Sequence, residues 1–181
     1  MTVGAPPNGH LILVGLPGAG KTTVGQLVSA RLGVPFLDFD QEISRRSGLS
    51  VADYFVRFGE ATFRAAEVAL TRELQQAPRT VLAPGGGWIT NAGVVDLLCP
   101  PGRLVHLAIS VEAAWHRLST SRVTRPLLQT EDPVGRLRVL EAERRPLYAR
   151  ADWTIDVEHV ERHALADMLV SLARNAGSGV G

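Results

Sequence analysis

Short apolar runs and longer stretches of helical period take turns along this chain. Residues 11–14 (Leu-Ile-Leu-Val) form a continuous apolar run ahead of a glycine, the pattern of a strand buried on both faces. Runs at 34–38, 80–83, 104–109 and 153–157 predict four more strands. Between them, helical period covers 21–32, ended by Gly33, and 41–47, stopped by Gly48. Ser50 followed by Asp53 has the form of a helix N-cap with an acidic first turn. It opens a helical stretch that runs to about residue 76, with a break near Gly59. Asn91 can cap a helix reaching Leu98, and 111–118, 134–148 and 159–174 complete the predicted helices. Residues 119–133 are polar, contain proline and have no clear period, so they read as a long loop. Residues 1–10 read as a flexible N-terminus and 176–181 as a disordered tail, leaving 11–175 as a single domain. Strands alternating with helices predict an α/β fold with a parallel sheet covered on both faces.

Composition narrows the picture modestly. With 181 residues and 45% hydrophobic content, the chain can bury the core of one domain. A formal net charge of +1 gives no sign of a nucleic-acid or membrane partner. No apolar run approaches the ~20 residues needed to cross a bilayer. The first ten residues carry no Lys or Arg ahead of an apolar stretch, so no secretory signal is expected and the cytoplasm is the simplest location. Cys99 is the only cysteine and reads as a small buried apolar residue. Of nineteen basic residues, Lys21 is the only lysine. Arg117, Arg122, Arg125, Arg136, Arg138, Arg144, Arg145 and Arg150 crowd one part of the chain, diluted by Glu131, Asp132, Glu141 and Glu143. That mixture suits an arginine-bearing lid closing on a nucleotide, with the remaining arginines on solvated helix faces.

The single lysine sits in the strongest motif. Gly15, Gly18, Gly20, Lys21 and Thr22 match a phosphate-binding loop at every fixed position, between a predicted strand and a predicted helix. Glycines let backbone N–H groups wrap around phosphate oxygens, and the helix adds the positive end of its dipole. A slim ammonium at Lys21 suits the β- and γ-phosphates, and the Thr22 hydroxyl suits magnesium. Asp38 and Asp40 follow the second strand, where open parallel sheets bind ligands. A strand continuing through Phe39 would aim both carboxylates to one side, toward a magnesium-bound water and a substrate hydroxyl. Gly85, Gly86 and Gly87 follow the third strand and let backbone approach a ligand closely.

These motifs are joined by Gly59, Glu60, Phe63 and Arg64, by the Arg-Pro-Leu-Leu run from Arg125 to Leu128, and by Arg144, Pro146, Leu147 and Tyr148 with Ala151 and Asp152. In this order, over roughly residues 11–160, the set resembles the shikimate kinase family. The resemblance implies a three-layer P-loop NTPase fold of the nucleoside-monophosphate-kinase kind. It would have five parallel strands in the order 2-3-1-4-5, an acceptor-binding region at about 40–76 and a mobile lid at about 119–133. The implied reaction is ATP-dependent phosphorylation of the 3-hydroxyl of shikimate, giving shikimate 3-phosphate and ADP for chorismate and aromatic amino acid synthesis. The implied enzyme is a cytoplasmic monomer using Mg2+. By the same resemblance, Leu16, Pro17, Gly18, Ala19, Gly20, Lys21, Thr22, Thr23 and Arg125 bind ATP. Asp40 holds the acceptor hydroxyl and takes its proton, with Lys21 and Arg125 the other catalytic groups. Arg64 and Arg144 hold the acceptor carboxylate, Gly86 and Gly87 touch its ring, and Thr22 with Asp38 (through water) places magnesium. Phe55, Phe63 and Glu67 fall on positions that line the acceptor.

Three positions depart from the family pattern. Pro84 and Trp88 flank the glycine run, and the indole either lines the acceptor pocket or packs away from it. Leu118 stands where the family often has an arginine, seven residues before the lid arginine, so Arg117 or Arg122 would have to substitute. Two other readings stay open at this level. One is a kinase for gluconate or another hydroxy acid, which Trp88 keeps in view. The other is a non-catalytic ATP-binding metabolite sensor, against which Lys21, Thr22, Asp40 and Arg125 speak.

Overall fold

A computed structural model describes residues 9–121 and 128–175. Its strands β1 (Leu11–Val14), β2 (Phe36–Asp38), β3 (Val81–Ala83), β4 (Arg103–Ala108) and β5 (Trp153–Asp156) form one parallel sheet in the order β2-β3-β1-β4-β5. This is the strand order expected from the family resemblance. β1 is central and wholly buried, pairing Leu11 with Val81 on one side and with Arg103 on the other.

The two-residue period of the strands sorts their side chains into two cores. Leu11, Leu13, Val81, Val105 and Leu107 face α1 (Lys21–Leu32) and α7 (Arg162–Asn175), meeting Val24, Val28, Leu165 and Leu169. Ile12, Val14, Leu82 and Leu104 face the opposite way, toward Phe39, Phe63, Trp88 and Tyr148. Phe39 belongs to α2 (Phe39–Ser47), Phe63 to α3 (Val51–Leu74) and Tyr148 to α6 (Pro133–Tyr148). Two short elements lie between β3 and β4, a 3-10 turn at Trp88–Thr90 and α4 (Val94–Leu98). A third, smaller core under α5 (Val111–Ser119) gathers Leu16, Leu128, Leu137 and Leu140.

Several predicted boundaries shift for local physical reasons. β2 does not continue through Phe39. The Asp38 side chain instead accepts from the Gln41 backbone N–H and starts α2 as its N-cap, so the expected strand alternation of Asp38 and Asp40 is replaced by a helix turn. Asn91 does not cap α4, whose N-cap is Gly93 in the left-handed region. Gly59, at φ 79 and ψ 166, interrupts α3 where a break was expected. His10, read as part of the loose N-terminus, is fully buried, with its ring bonded to the Leu74 carbonyl and the Thr80 N–H. Residues 1–8, the tail 176–181 and the lid residues 122–127, Arg122 and Arg125 among them, lie outside the described residues. No helix among the described residues is long and apolar enough to cross a membrane. Asp152 fastens the sheet edge, accepting from the Leu104 N–H at 2.8 Å and from Arg103 at 2.9 Å.

Candidate active site

One cavity of about 840 Å³ opens along the carboxyl edge of the sheet, from the loop after β1 to the glycines after β3. Of the residues expected to bind ligands, Pro17, Gly18, Gly20, Lys21, Thr22, Thr23, Asp38, Asp40, Arg64, Gly86, Gly87 and Arg144 line it. Leu16 and Ala19 contribute differently. Their side chains are buried in the third and first-named cores, and only their backbone is available to a phosphate.

The loop at its nucleotide end is built on backbone that glycine permits. Gly18 and Gly20 have φ 87 and 92, and a Cβ on Gly18 would lie 2.8 Å from the Ala114 carbonyl oxygen. Lys21 opens α1, and its Nζ donates to the carbonyl oxygens of Gly15 (2.9 Å) and Leu16 (3.1 Å), curling the loop around its own ammonium. Next to it the Thr22 hydroxyl donates to Asp38 Oδ2 at 2.6 Å. One Asp38 oxygen therefore caps α2 while the other holds Thr22, which ties the first two strands together at the phosphate loop. The set is all oxygen and partly open to the cavity, the chemistry of a hard cation that keeps most of its waters. Among the described residues no group of three or more His, Cys, Asp or Glu could enclose a metal.

At the acceptor end, four elements converge. Asp40, in the first turn of α2, sets Oδ1 against Gly85, 2.7 Å from where a Cβ would stand. Arg64 of α3 lies over Gly87 so closely that a Cβ there would overlap its guanidinium. Arg144 of α6 lies over Gly86, its Nη1 2.9 Å from the corresponding Cβ position. The three glycines are thus needed less for turning than for admitting these side chains. Arg64 donates from Nε and Nη2 to Glu60, at 3.3 and 2.9 Å, and from Nη1 to Glu67 at 2.8 Å. Arg144 is only 3% exposed, and its Nε and Nη1 have no hydrogen-bond partner among the described residues. A buried guanidinium with open donors on a cavity wall is a strong anion site.

Trp88 packs away from this pocket. The indole is fully buried, stands edge-on to Phe39 and donates from Nε1 to the Thr71 hydroxyl at 2.8 Å. Two partners in the site were given no role there by the sequence. Asn91, expected as a helix cap, instead donates from its side chain to Glu67 Oε2 and the Trp88 carbonyl. Glu60, half-exposed and named only as part of the motif around Arg64, shares that guanidinium from the solvent side. At the far end, Leu118 and Arg117 both line the cavity. Arg117 Nη2 donates to the carbonyl oxygens of Val157 (2.8 Å) and Glu158 (3.2 Å), so the guanidinium spans from α5 to the loop after β5. Cys99 is partly buried at the edge of the second core, and burial pushes its thiol up to about 12, which fits an inert apolar role.

The family model described as shikimate kinase matches residues 17–173. The chain belongs to the shikimate kinase family. A shikimate kinase of Cupriavidus pinatubonensis is 41% identical over 178 residues, spanning 98% of this chain and 91% of its own. Among solved structures, a shikimate kinase from Acinetobacter baumannii in complex with shikimate superposes with a TM-score of 0.86 at 39% identity, covering 93% of both chains. A gluconokinase from Sinorhizobium meliloti superposes with a TM-score of 0.54 at 15% identity, covering 95% of this chain and 93% of its own. That last likeness shows the shared fold alone. Family membership makes the chain an ATP-using phosphotransferase of aromatic amino acid biosynthesis.

Proposed function

We infer that this chain transfers the γ-phosphoryl group of ATP to the 3-hydroxyl of shikimate, forming shikimate 3-phosphate and ADP, with the residue roles that follow. The observation that carries the acceptor half is the set of charged side chains over the glycine floor of the cavity: Arg64 over Gly87, buried Arg144 over Gly86 beside Pro17 of the phosphate loop, and the Asp40 carboxylate over Gly85. A hydroxy acid fits that arrangement. Its carboxylate takes the paired donors of the arginines, and a ring hydroxyl then faces Asp40. Gly86 and Gly87 give the ring a floor without Cβ obstruction.

The transfer forms a bond from the acceptor oxygen to the γ-phosphorus and breaks the bond from that phosphorus to the β,γ-bridging oxygen. The hydroxyl proton passes to Asp40, and ADP leaves with the bridging oxygen. Alignment and charge balance supply most of the acceleration in such a reaction, so Asp40 orients the hydroxyl as much as it takes its proton. Lys21, with Nζ already at the centre of the loop, balances the β- and γ-phosphate charge. Backbone N–H groups of residues 16–23 cradle the phosphates, and Arg125, outside the described residues, carries the expected contact to the transferring group. Bound magnesium would neutralise phosphate charge; Thr22 would hold it, with Asp38 ordering a water. The Arg117 guanidinium and Leu118 wall the end of the cavity where the nucleotide base would lie. The enzyme is expected to act as a cytoplasmic monomer.

With Trp88 buried away from the cavity, the feature that favoured a different hydroxy-acid acceptor is gone. The test is ADP release in the presence of magnesium and ATP with shikimate, quinate, gluconate or AMP as acceptor, and phosphorus NMR of the product. Turnover with shikimate alone, at the 3-hydroxyl, is the expected result. Faster turnover with gluconate, or none with any acceptor, overturns the assignment.

A further inference from the structure

Among the described residues, Glu67 is the only acid buried from solvent. It sits one turn after Arg64 on α3, and its Oε2 accepts from Arg64 Nη1 at 2.8 Å and Asn91 Nδ2 at 3.2 Å. The other oxygen, Oε1, has no hydrogen-bond partner among the described residues. It converges with Asp40 on Gly85, where a Cβ would lie 3.0 Å from Glu67 Oε1 and 2.7 Å from Asp40 Oδ1. Two carboxylates thus crowd one edge of the acceptor pocket.

The charged groups beside Glu67 are Asp40 on α2 and Arg64, with Glu60 beyond it, on α3; Arg144 on α6 lies one glycine further along, over Gly86. The neighbour from the segment after β3, Asn91, is uncharged. Two cations therefore face two pocket acids and a third on the solvent side. A bound carboxylate adds another negative charge, and it lands on Arg64, whose Nε, Nη1 and Nη2 are already engaged by Glu60 and Glu67. Either the excess charge stays in a site screened from water or one acid gives up its ionised form. The buried acid with an open oxygen is the one placed to do so.

We propose that Glu67 is a proton-taking positioning residue: when an acceptor carboxylate engages Arg64 and Arg144, Glu67 takes one proton from solvent on Oε1 and stays in the site as a neutral acid. This rests on the reading that these two arginines hold the acceptor carboxylate. Protonation loosens Glu67's hold on Arg64, leaves that guanidinium to the ligand, and lets the new O–H face the Asp40 carboxylate. Burial already lifts the Glu67 carboxyl to about 7 against the opposing pull of Arg64 and Asn91, and the charge of Asp40 adds to the rise. An additional anion raises it further, so uptake begins near neutrality and grows above it.

Calorimetric titration of shikimate into the protein at about pH 8, in two buffers of different ionisation enthalpy, measures the proton directly. The expected result is uptake of most of one proton per acceptor bound. The affinity should be level below about pH 7 and fall above it by at most about tenfold per pH unit. Glu67→Gln should bind shikimate with neither the uptake nor the pH dependence. Binding without buffer-dependent heat, or uptake that persists unchanged in Glu67→Gln, overturns the proposal. If that variant does not fold, the wild-type pH series decides, and an affinity level from about pH 6 to 9 overturns it. Arg144→Ala separates the two layers of the argument. Unchanged shikimate affinity there removes the reading of the pocket and this inference with it; weakened affinity without wild-type proton uptake removes this inference alone.

Discussion

Adding one methyl group at Gly87 tests the acceptor geometry with little risk to the fold. Gly87 has φ −90 and ψ −9, values open to any residue, so alanine costs nothing in the backbone. Its Cβ, however, would overlap the Arg64 guanidinium. That group cannot drift freely, because Glu60 and Glu67 hold it at 2.9 and 2.8 Å. Making room moves the guanidinium off the glycine floor, away from where the acceptor carboxylate would meet it. The charge-assisted bond that the displaced group no longer makes to that carboxylate is worth about 1.5–3 kcal/mol. At about 1.4 kcal/mol per tenfold, the Gly87→Ala acceptor KM should rise about tenfold to a hundredfold. The nucleotide end lies across the cavity, so the ATP KM should stay within about twofold, and the urea midpoint should barely move. ADP release coupled to NADH oxidation, with each substrate varied at saturating levels of the other, gives both constants. An unchanged shikimate KM would show that Arg64 can leave Gly87 without consequence for the acceptor. An equal rise in both constants would show that the methyl acts through the fold.

Three more expectations follow from the same geometry. Trp88→Phe keeps an aromatic ring but loses the 2.8 Å bond to Thr71, so it should cost about 1 kcal/mol in urea unfolding and leave acceptor choice unchanged; altered selectivity would put the indole back in the pocket. Asp40→Asn should lower kcat by about a hundredfold or more while ATP affinity, read by calorimetry, is kept; wild-type turnover would take Asp40 out of the mechanism. Glu67, lifted by burial from 4.5 to about 7, binds more protons folded than unfolded between those values. Its contribution is therefore fully present below about pH 4.5 and lost as pH rises through 7, a fall of about 3 kcal/mol in unfolding free energy that Glu67→Gln should flatten; an unchanged slope in the variant would refute the assignment.

The middle of the sheet was legible because β1 and β3 are buried on both faces. A run such as Leu11–Val14 has no polar position to confuse its period, and the glycines after β1 and β3 mark where the chain leaves the sheet. The phosphate loop was legible because backbone geometry demands its glycines and the chain supplies one lysine in all. What escaped is set by which partner each polar group finds, near or far in sequence. Asp38 and Asp40 looked like alternating strand positions, yet the Gln41 N–H needed a cap and Asp38, three residues before it, supplied it. Asn91 looked like a cap, yet its amide is spent on Glu67, 24 residues upstream. Nothing near Trp88 in sequence tells that its N–H will find Thr71, which decides that the indole faces the core. Counting seven residues back from Arg125 reached Leu118, but the guanidinium that meets the loop after β5 belongs to Arg117. Counting through a loop assumes a loop length, and one residue on α5 turns a side chain by about 100°.

The internal partners of the site's charged groups also explain how a cavity so rich in ions holds its shape. Lys21 rests on two carbonyl oxygens of its own loop, Thr22 on Asp38, and Arg64 on Glu60 and Glu67. Each of these contacts stands close to where a ligand group would go, so binding exchanges partners and gains only the difference between them. Such exchange keeps the side chains near their working positions beforehand, which favours alignment over raw affinity, and alignment is what phosphoryl transfer most needs. Arg144 differs, because its buried Nε and Nη1 have no hydrogen-bond partner to surrender among the described residues. A carboxylate arriving there makes new charge-assisted bonds without breaking old ones from those two nitrogens. On the proposed reading of the pocket, affinity for the acceptor would be concentrated on α6, and Arg64 on α3 would act chiefly as the partner whose release couples acceptor binding to the charge state of Glu67.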